Sequence, residues 1–186
     1  MSGYCKVAPG HEWHGPYHDK HYGFPILDDN QLFERLILEI NQAGLRWLTI
    51  LKKQESFKEA YHGFEIAKVA RYGARDRARL LNDAGIIRNR LKVDAAIENA
   101  KRILALQESH GSFAAWLKVH HPKTKLEWIK LFKTTFVFTG GEIVGEFLMS
   151  IGYLPGAHAE DCPVFQKIAK KRPAWMTAHA KGMKYV

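Results

Sequence analysis

Three features of the sequence predict an all-α fold. Apolar residues recur at helical spacing in one segment after another, Gly and Pro punctuate those segments, and no stretch shows the strict alternation of a half-buried strand. With 186 residues, 46% of them hydrophobic, the chain is long enough to bury a proper core as one compact unit over 1–186. No apolar run approaches the ~20 residues of a membrane span, and the N-terminus lacks a signal-peptide core, so a cytoplasmic protein without membrane contact is expected.

Residues 1–25 are rich in Gly, Pro, His and aromatics without helical period, which predicts an ordered but irregular segment. From Asp28 the pattern turns helical. Asp28 or Asp29 can cap, Leu32, Phe33, Leu36, Ile37 and Ile40 form the apolar face, and Gly44 can end the helix. A second short helix is predicted over 46–53, then amphipathic pieces around 57–61 and 66–71, separated by Gly63 and Gly73, and another helix over 75–82. Residues 80–107 read as helix, tight hairpin and long helix: Gly85 supplies a positive-φ turn, Ile86 and Ile87 anchor it, and Val93, Ala96, Ile97, Ala100, Ile103 and Leu104 form a buried face. A helix over 112–119 stops before Pro122, and 125–133 forms another amphipathic piece. Gly140 and Gly141 open an apolar helix that ends at Gly152. A compact polar turn, GAHAEDCP, and a basic, partly helical tail over 166–186 complete the chain.

One residue contradicts this pattern. Glu39 sits inside the apolar helix that also holds Ile37 and Ile40, with Trp47 just past the break at Gly44. An acid at such a position is rare unless paired or functional, because an uncompensated charge in low dielectric is expensive. The overall balance points the same way: 28 Lys and Arg against 19 Asp and Glu leave a formal charge of +9, which favours a polyanionic partner, nucleic acid first.

The hairpin within about 75–107 fits that partner. Free N–H groups at the start of its second helix would face an anion, with Arg88, Arg90 and Lys92 beside them; an ordinary αα-hairpin with a solvated basic tip is the plain alternative. A metal site is suggested at the ends. His158 and Cys162 are four apart and can share one helical turn, and Cys5 with His18 would complete a closed Cys₂His₂ set suited to structural zinc, with His11, His14 and His21 as alternative ligands. Such a site would join the terminal segments 1–25 and 152–165.

Taken together, Cys5 with YHDKHYG at 17–23, LEINQAGLRWLTILKK at 38–53, DAGIIRNR at 83–90, FVFTG at 136–140 and AHAEDCP at 157–163 resemble the DNA-3-methyladenine glycosylase I (Tag-type) family. The motifs occur in order over residues 5 to about 165. The resemblance implies a helix-hairpin-helix DNA glycosylase fold with one structural zinc on Cys5, His18, His158 and Cys162. It places the base-recognition carboxylate, on which catalysis would rest, at Glu39, a pocket tyrosine at Tyr17 and a stacking tryptophan at Trp47. Tyr22 falls where relatives carry a substrate-side tryptophan. The DNA-gripping hairpin falls on Ala84, Gly85, Ile87, Arg88 and Arg90, with Lys92 following. The implied activity is base-excision repair: a monofunctional, monomeric hydrolase flips an alkylated, cationic purine out of double-stranded DNA and cleaves its glycosidic bond. A non-catalytic binder of alkylated DNA or free alkylated purine is the alternative. The chain departs from the family at Val7, Tyr22, Arg46 and Gly145, where relatives carry Trp, Trp, Ser and a bulkier residue.

Overall fold

A computed structural model describes residues 3–185; the outermost positions of the predicted unit, 1–2 and 186, lie outside the described residues. In chain order the helices are α1 (Gly3–Val7), α2 (His14–Lys20), α3 (Asp29–Gln42), α4 (Trp47–Ala60), a 3-10 turn (His62–Phe64), α5 (Ile66–Val69), α6 (Ala74–Asn82), α7 (Arg90–His110), α8 (Phe113–His120), α9 (Lys125–Thr135), α10 (Gly141–Ser150), α11 (Pro163–Lys170) and α12 (Ala174–His179). No strand occurs among the described residues, and none of their helices is long and apolar enough to cross a membrane.

Helix α3 is the axis. Nine of its fourteen residues are buried, on all sides rather than on one stripe, because α4, α5, α7, α8 and α10 all pack against it. Both candidate caps are used, for different helices. Asp28 caps α3 by accepting from Gln31 N, while the Asp29 carboxylate accepts from Phe113 N, Ala114 N and Gln107 Nε2 and so caps α8.

Several expectations are corrected. Segment 1–25 contains α1 and α2, whose five and seven residues are too few to show a period. The pieces predicted at 46–53 and 57–61 are one helix, α4; the polar run between them contains no Gly or Pro and forms its wetter face. Gly85 does not have a positive φ. Its glycine is required by close approach, since a Cβ there would lie 2.9 Å from Ser56 Cβ on α4 and 2.9 Å from Asp83 Oδ1. His158 and Cys162 do not share a helical turn: both lie in the turn before α11, which Cys162 N closes by donating to Ala159 O. Lys92, expected on a DNA-facing surface, is 5% exposed, and its Nζ donates at 2.8 Å to Asn41 O and Ala43 O at the end of α3.

The turn between α6 and α7 is held from outside as well as within. Lys53 Nζ on α4 donates to Ala84 O and Gly85 O, Asp83 Oδ1 accepts from Gly85 N, and Asn89 caps α7 by accepting from Lys92 N. The extended segment before α10 is fastened by Asn99, a fully buried residue of α7. Its Nδ2 donates to Val137 O and its Oδ1 accepts from Val137 N. Replacing Asn99 by Leu strands both backbone groups, and the variant is expected to lose about 2–4 kcal/mol of unfolding free energy by urea denaturation.

Candidate functional site

A cavity of about 750 Å³ opens between α2, α3, α4 and the start of α10. Gly44, at φ +80°, turns the chain away from α3 and lets α4 begin at Trp47 on the cavity wall. Tyr17 comes from α2, Glu39 from α3 and Tyr22 from the segment after α2; Tyr4, Gln42, Glu142 and Glu146 also line the space. The sequence placed Glu39, Tyr17, Trp47 and Tyr22 at one site, and all four line this cavity. The rings of Trp47 and Tyr17 lie 5.1 Å apart between centroids, and those of Tyr17 and Tyr22 5.6 Å apart, so aromatic surface forms a continuous wall.

Glu39 is 4% exposed, and its carboxyl accepts no hydrogen bond from the described residues. Burial pushes it up to about 8; the Arg35 guanidinium one turn earlier pulls it partly back, and the Glu146 carboxyl pushes further. Arg35 does not pair with it directly. Its Nη1 donates to Tyr17 Oη at 3.0 Å, with the guanidinium carbon 4.9 Å from the ring centre. Tyr22 Oη donates to Glu146 Oε2 at 3.1 Å, and burial raises the Glu146 carboxyl above the ordinary range against the pull of that bond. Burial also drives the phenols of Tyr17 and Tyr22 far upward, so both keep their protons. Trp47 Nε1 is buried with no partner. Such a space has aromatic faces and acceptor-only carboxyls; it suits a flat, electron-poor ligand with N–H donors.

Beside it lies a second constellation. Cys5, His18, His158 and Cys162 are all buried, and their ligand atoms all lie within 4.8 Å of one another, an arrangement that can hold a metal ion. Cys5 Sγ is 3.7 Å from His158 Nδ1, and Cys162 Sγ is 3.5 Å from His158 Nδ1 and 3.7 Å from His18 Nε2. The outer ring nitrogens are engaged elsewhere: His18 Nδ1 with Asp19 Oδ1 at 2.7 Å, His158 Nε2 with Tyr22 O at 2.9 Å. Those partners turn the inner nitrogens toward the thiols. Among the alternatives, His11 accepts from Trp13 N and His14 N, His14 bonds Tyr4 Oη, and His21 is exposed.

Other positions behave differently. Ala84, Arg88 and Arg90 are exposed at the turn, while Gly85 and Ile87 are partly buried in it. Arg46 is exposed before α4 and does not line the cavity. Gly145 makes room for Lys125, whose Cε would lie 2.7 Å from a Cβ there. Arg35 and Glu146 were not singled out from the sequence. Arg35 carried a usable signal, since it lies four residues before Glu39 and so on the same helix face; Glu146 belongs to an apolar helix whose partner residues are over a hundred positions away.

The geometry agrees with known proteins. The family model for methyladenine glycosylase matches residues 8–130. DNA-3-methyladenine glycosylase of Haemophilus influenzae is 39% identical over 166 residues, covering 79% of this chain and 89% of that protein. DNA-3-methyladenine glycosylase 1 of Escherichia coli is 43% identical over 107 residues, 56% of this chain and 57% of that one. A solved structure of 3-methyladenine DNA glycosylase I, a tyrosine-to-phenylalanine variant in complex with 3-methyladenine, superposes with a TM-score of 0.78 at 32% identity, covering 87% of this chain and 96% of that one. The Staphylococcus aureus enzyme, solved to explain 3-methyladenine recognition, gives 0.78 at 33% identity, covering 87% and 95%. With a match over most of its length and the fold of the solved enzymes, this chain belongs to the methyladenine glycosylase family, of the DNA-3-methyladenine glycosylase I type.

Proposed function

We propose that the cavity is the base pocket of a repair enzyme that hydrolyses the N-glycosidic bond of 3-methyladenine in DNA. The observation that carries this reading is Glu39: a desolvated carboxyl without a protein partner, lining a cavity walled by aromatic rings. Alkylation at N3 makes the adenine cationic, and a cation between Trp47 and Tyr17 gains from stacking and from the ring quadrupoles. Its charge also restores to Glu39 the ionised state that burial opposes, so the pocket selects the damaged base over neutral adenine. In the reaction the bond between C1′ and N9 breaks and its electron pair neutralises the base, while a water oxygen bonds to C1′ and releases its proton. A cationic leaving group needs no acid, and Glu39 contributes by holding negative charge beside the charge that develops on the sugar.

Glu39 must be ionised to do this, and its carboxyl sits near 8 in the empty pocket. Below that pH the protonated, inactive form dominates. kcat/KM for 3-methyladenine release is therefore expected to rise with pH until about 8 and then level off. Glu39→Gln should lower it by roughly 10²–10³ and flatten the profile. Binding of 3-methyladenine without release by the wild type would leave only a non-catalytic binder.

DNA is gripped, in this proposal, by α6, the turn at 83–89 and α7 acting as a helix-hairpin-helix. The +9 charge supports a duplex partner, and Asn89 engages the N–H groups of Lys92 and Val93 but leaves those of Arg90 and Leu91 available to a phosphate. Arg88→Ala with Arg90→Ala should weaken binding to any sequence and flatten the salt dependence by about two phosphate contacts in a filter-binding or anisotropy titration. Lys92 is not part of that surface.

The four-ligand cluster is assigned to structural zinc. A sulfur and a nitrogen on one tetrahedral zinc stand about 3.6 Å apart, from bond lengths of roughly 2.3 and 2.0 Å, and the observed separations are 3.5 to 3.7 Å. With all four positions filled by protein, the ion would tie α1 and α2 to the turn before α11 and take no part in the reaction. Purified protein should contain one zinc per chain by elemental analysis, and Cys162→Ser should lose the metal and unfold at lower temperature. The whole chain acts as one monomeric, cytoplasmic unit in this reading.

A further inference from the structure

The base-pocket reading leaves one carboxyl without a role. Glu146 lines the cavity with Glu39, is only half-buried, and accepts a hydrogen bond from Tyr22 Oη on one oxygen. A carboxylate offers about four lone-pair directions, and Tyr22 takes one. No other side-chain hydrogen bond to Glu146 is made by the described residues. Lys125, the cation that reaches across Gly145, is paired instead with Glu142, 3.6 Å from its Oε1. Glu146 therefore presents open acceptor directions at the Tyr22 end of the aromatic wall, fixed in place by a hydroxyl.

That chemistry does not fit adenine. Beyond its single amino group, adenine offers ring nitrogens N1 and N7, which are acceptors that a carboxylate repels. Guanine carries N1–H and a 2-amino group side by side, two donors spaced for one carboxylate. Alkylation at N7 leaves that edge intact and gives the ring the positive charge that Glu39 and the aromatic wall favour. The geometry points to Glu146, positioned by Tyr22, as a specificity residue that extends this pocket to 7-alkylated guanines by accepting from N1–H and the 2-amino group. The inference rests on the cavity being a base pocket, as proposed above. Glu146 touches the base; Tyr22 acts on the guanine edge through Glu146.

The test uses the intact protein and DNA treated with dimethyl sulfate, which carries both 3-methyladenine and 7-methylguanine. Released bases are separated by chromatography, and the ratio of guanine to adenine release is measured. The wild type should release both. Glu146→Gln puts an amide where an acceptor is needed, and the ratio should fall by roughly tenfold or more, the order expected for losing charged hydrogen bonds. Tyr22→Phe should lower the ratio by a smaller factor and mainly through KM for the guanine lesion, because the carboxylate remains but is no longer held. Both bases compete for the same enzyme preparation, so partial misfolding of a variant leaves the ratio untouched. An unchanged ratio in Glu146→Gln overturns the inference, as does a wild type that releases 3-methyladenine alone. A wild type that releases neither base overturns the base-pocket reading itself.

Discussion

The desolvation of Glu39 governs the rest of this structure. An ionised carboxylate alone in low dielectric costs several kcal/mol, and α3 is surrounded by packed helices that leave little water to relieve it. Arg35 offsets part of that cost from one turn away, but its hydrogen bond goes to Tyr17 rather than to the acid. The carboxyl consequently holds its proton near neutrality, and the fold keeps a site that is electrostatically incomplete. Only an occupant bringing positive charge and N–H donors completes it, so discrimination against normal bases follows from how the core is packed as much as from contacts made to the ligand.

The aromatic wall opposite Glu39 depends on the four-ligand cluster next door. Tyr17 and His18 are consecutive residues of α2, one directed into the cavity and the other into the cluster. His158 reaches the same wall through the carbonyl of Tyr22. A short helix of seven residues is marginal by itself, and here it is held on one side by the cluster and on the other by the bond from Arg35. Recognition surface and terminal staple are thus two faces of one small element, joined by Val164, Ile168 and Phe24 in a minor core of their own.

How much of this was legible in the sequence depended on the range of the interaction. Helices α3, α7, α8, α9 and α10 were readable because their periods and caps are local. Glu39 was readable because an acid in an apolar stripe is an anomaly within a few residues of itself. The fused helix α4 was missed because a polar run imitates a break, and α1 and α2 because they are too short to repeat. Gly85 was given the right residue type for the wrong reason, since the clash that demands glycine comes from Ser56 on another helix. Glu146 was invisible because what makes it notable, the Tyr22 hydroxyl and the shared cavity, is assembled only by folding. Lys92 misled for the same reason: a lysine near a basic turn looks solvated until the end of α3 is brought against it.

That lysine joins two surfaces that the sequence keeps far apart. Its stem rises from the first turn of α7, and its ammonium is clasped by the carbonyls of Asn41 and Ala43, at the rim from which Gly44 leads to Trp47. The span between the hairpin and the lip of the cavity is therefore set by the length of a single extended side chain. Backbone grip and base insertion share one ruler, and a duplex seated on the hairpin meets the cavity at a fixed offset rather than searching for it.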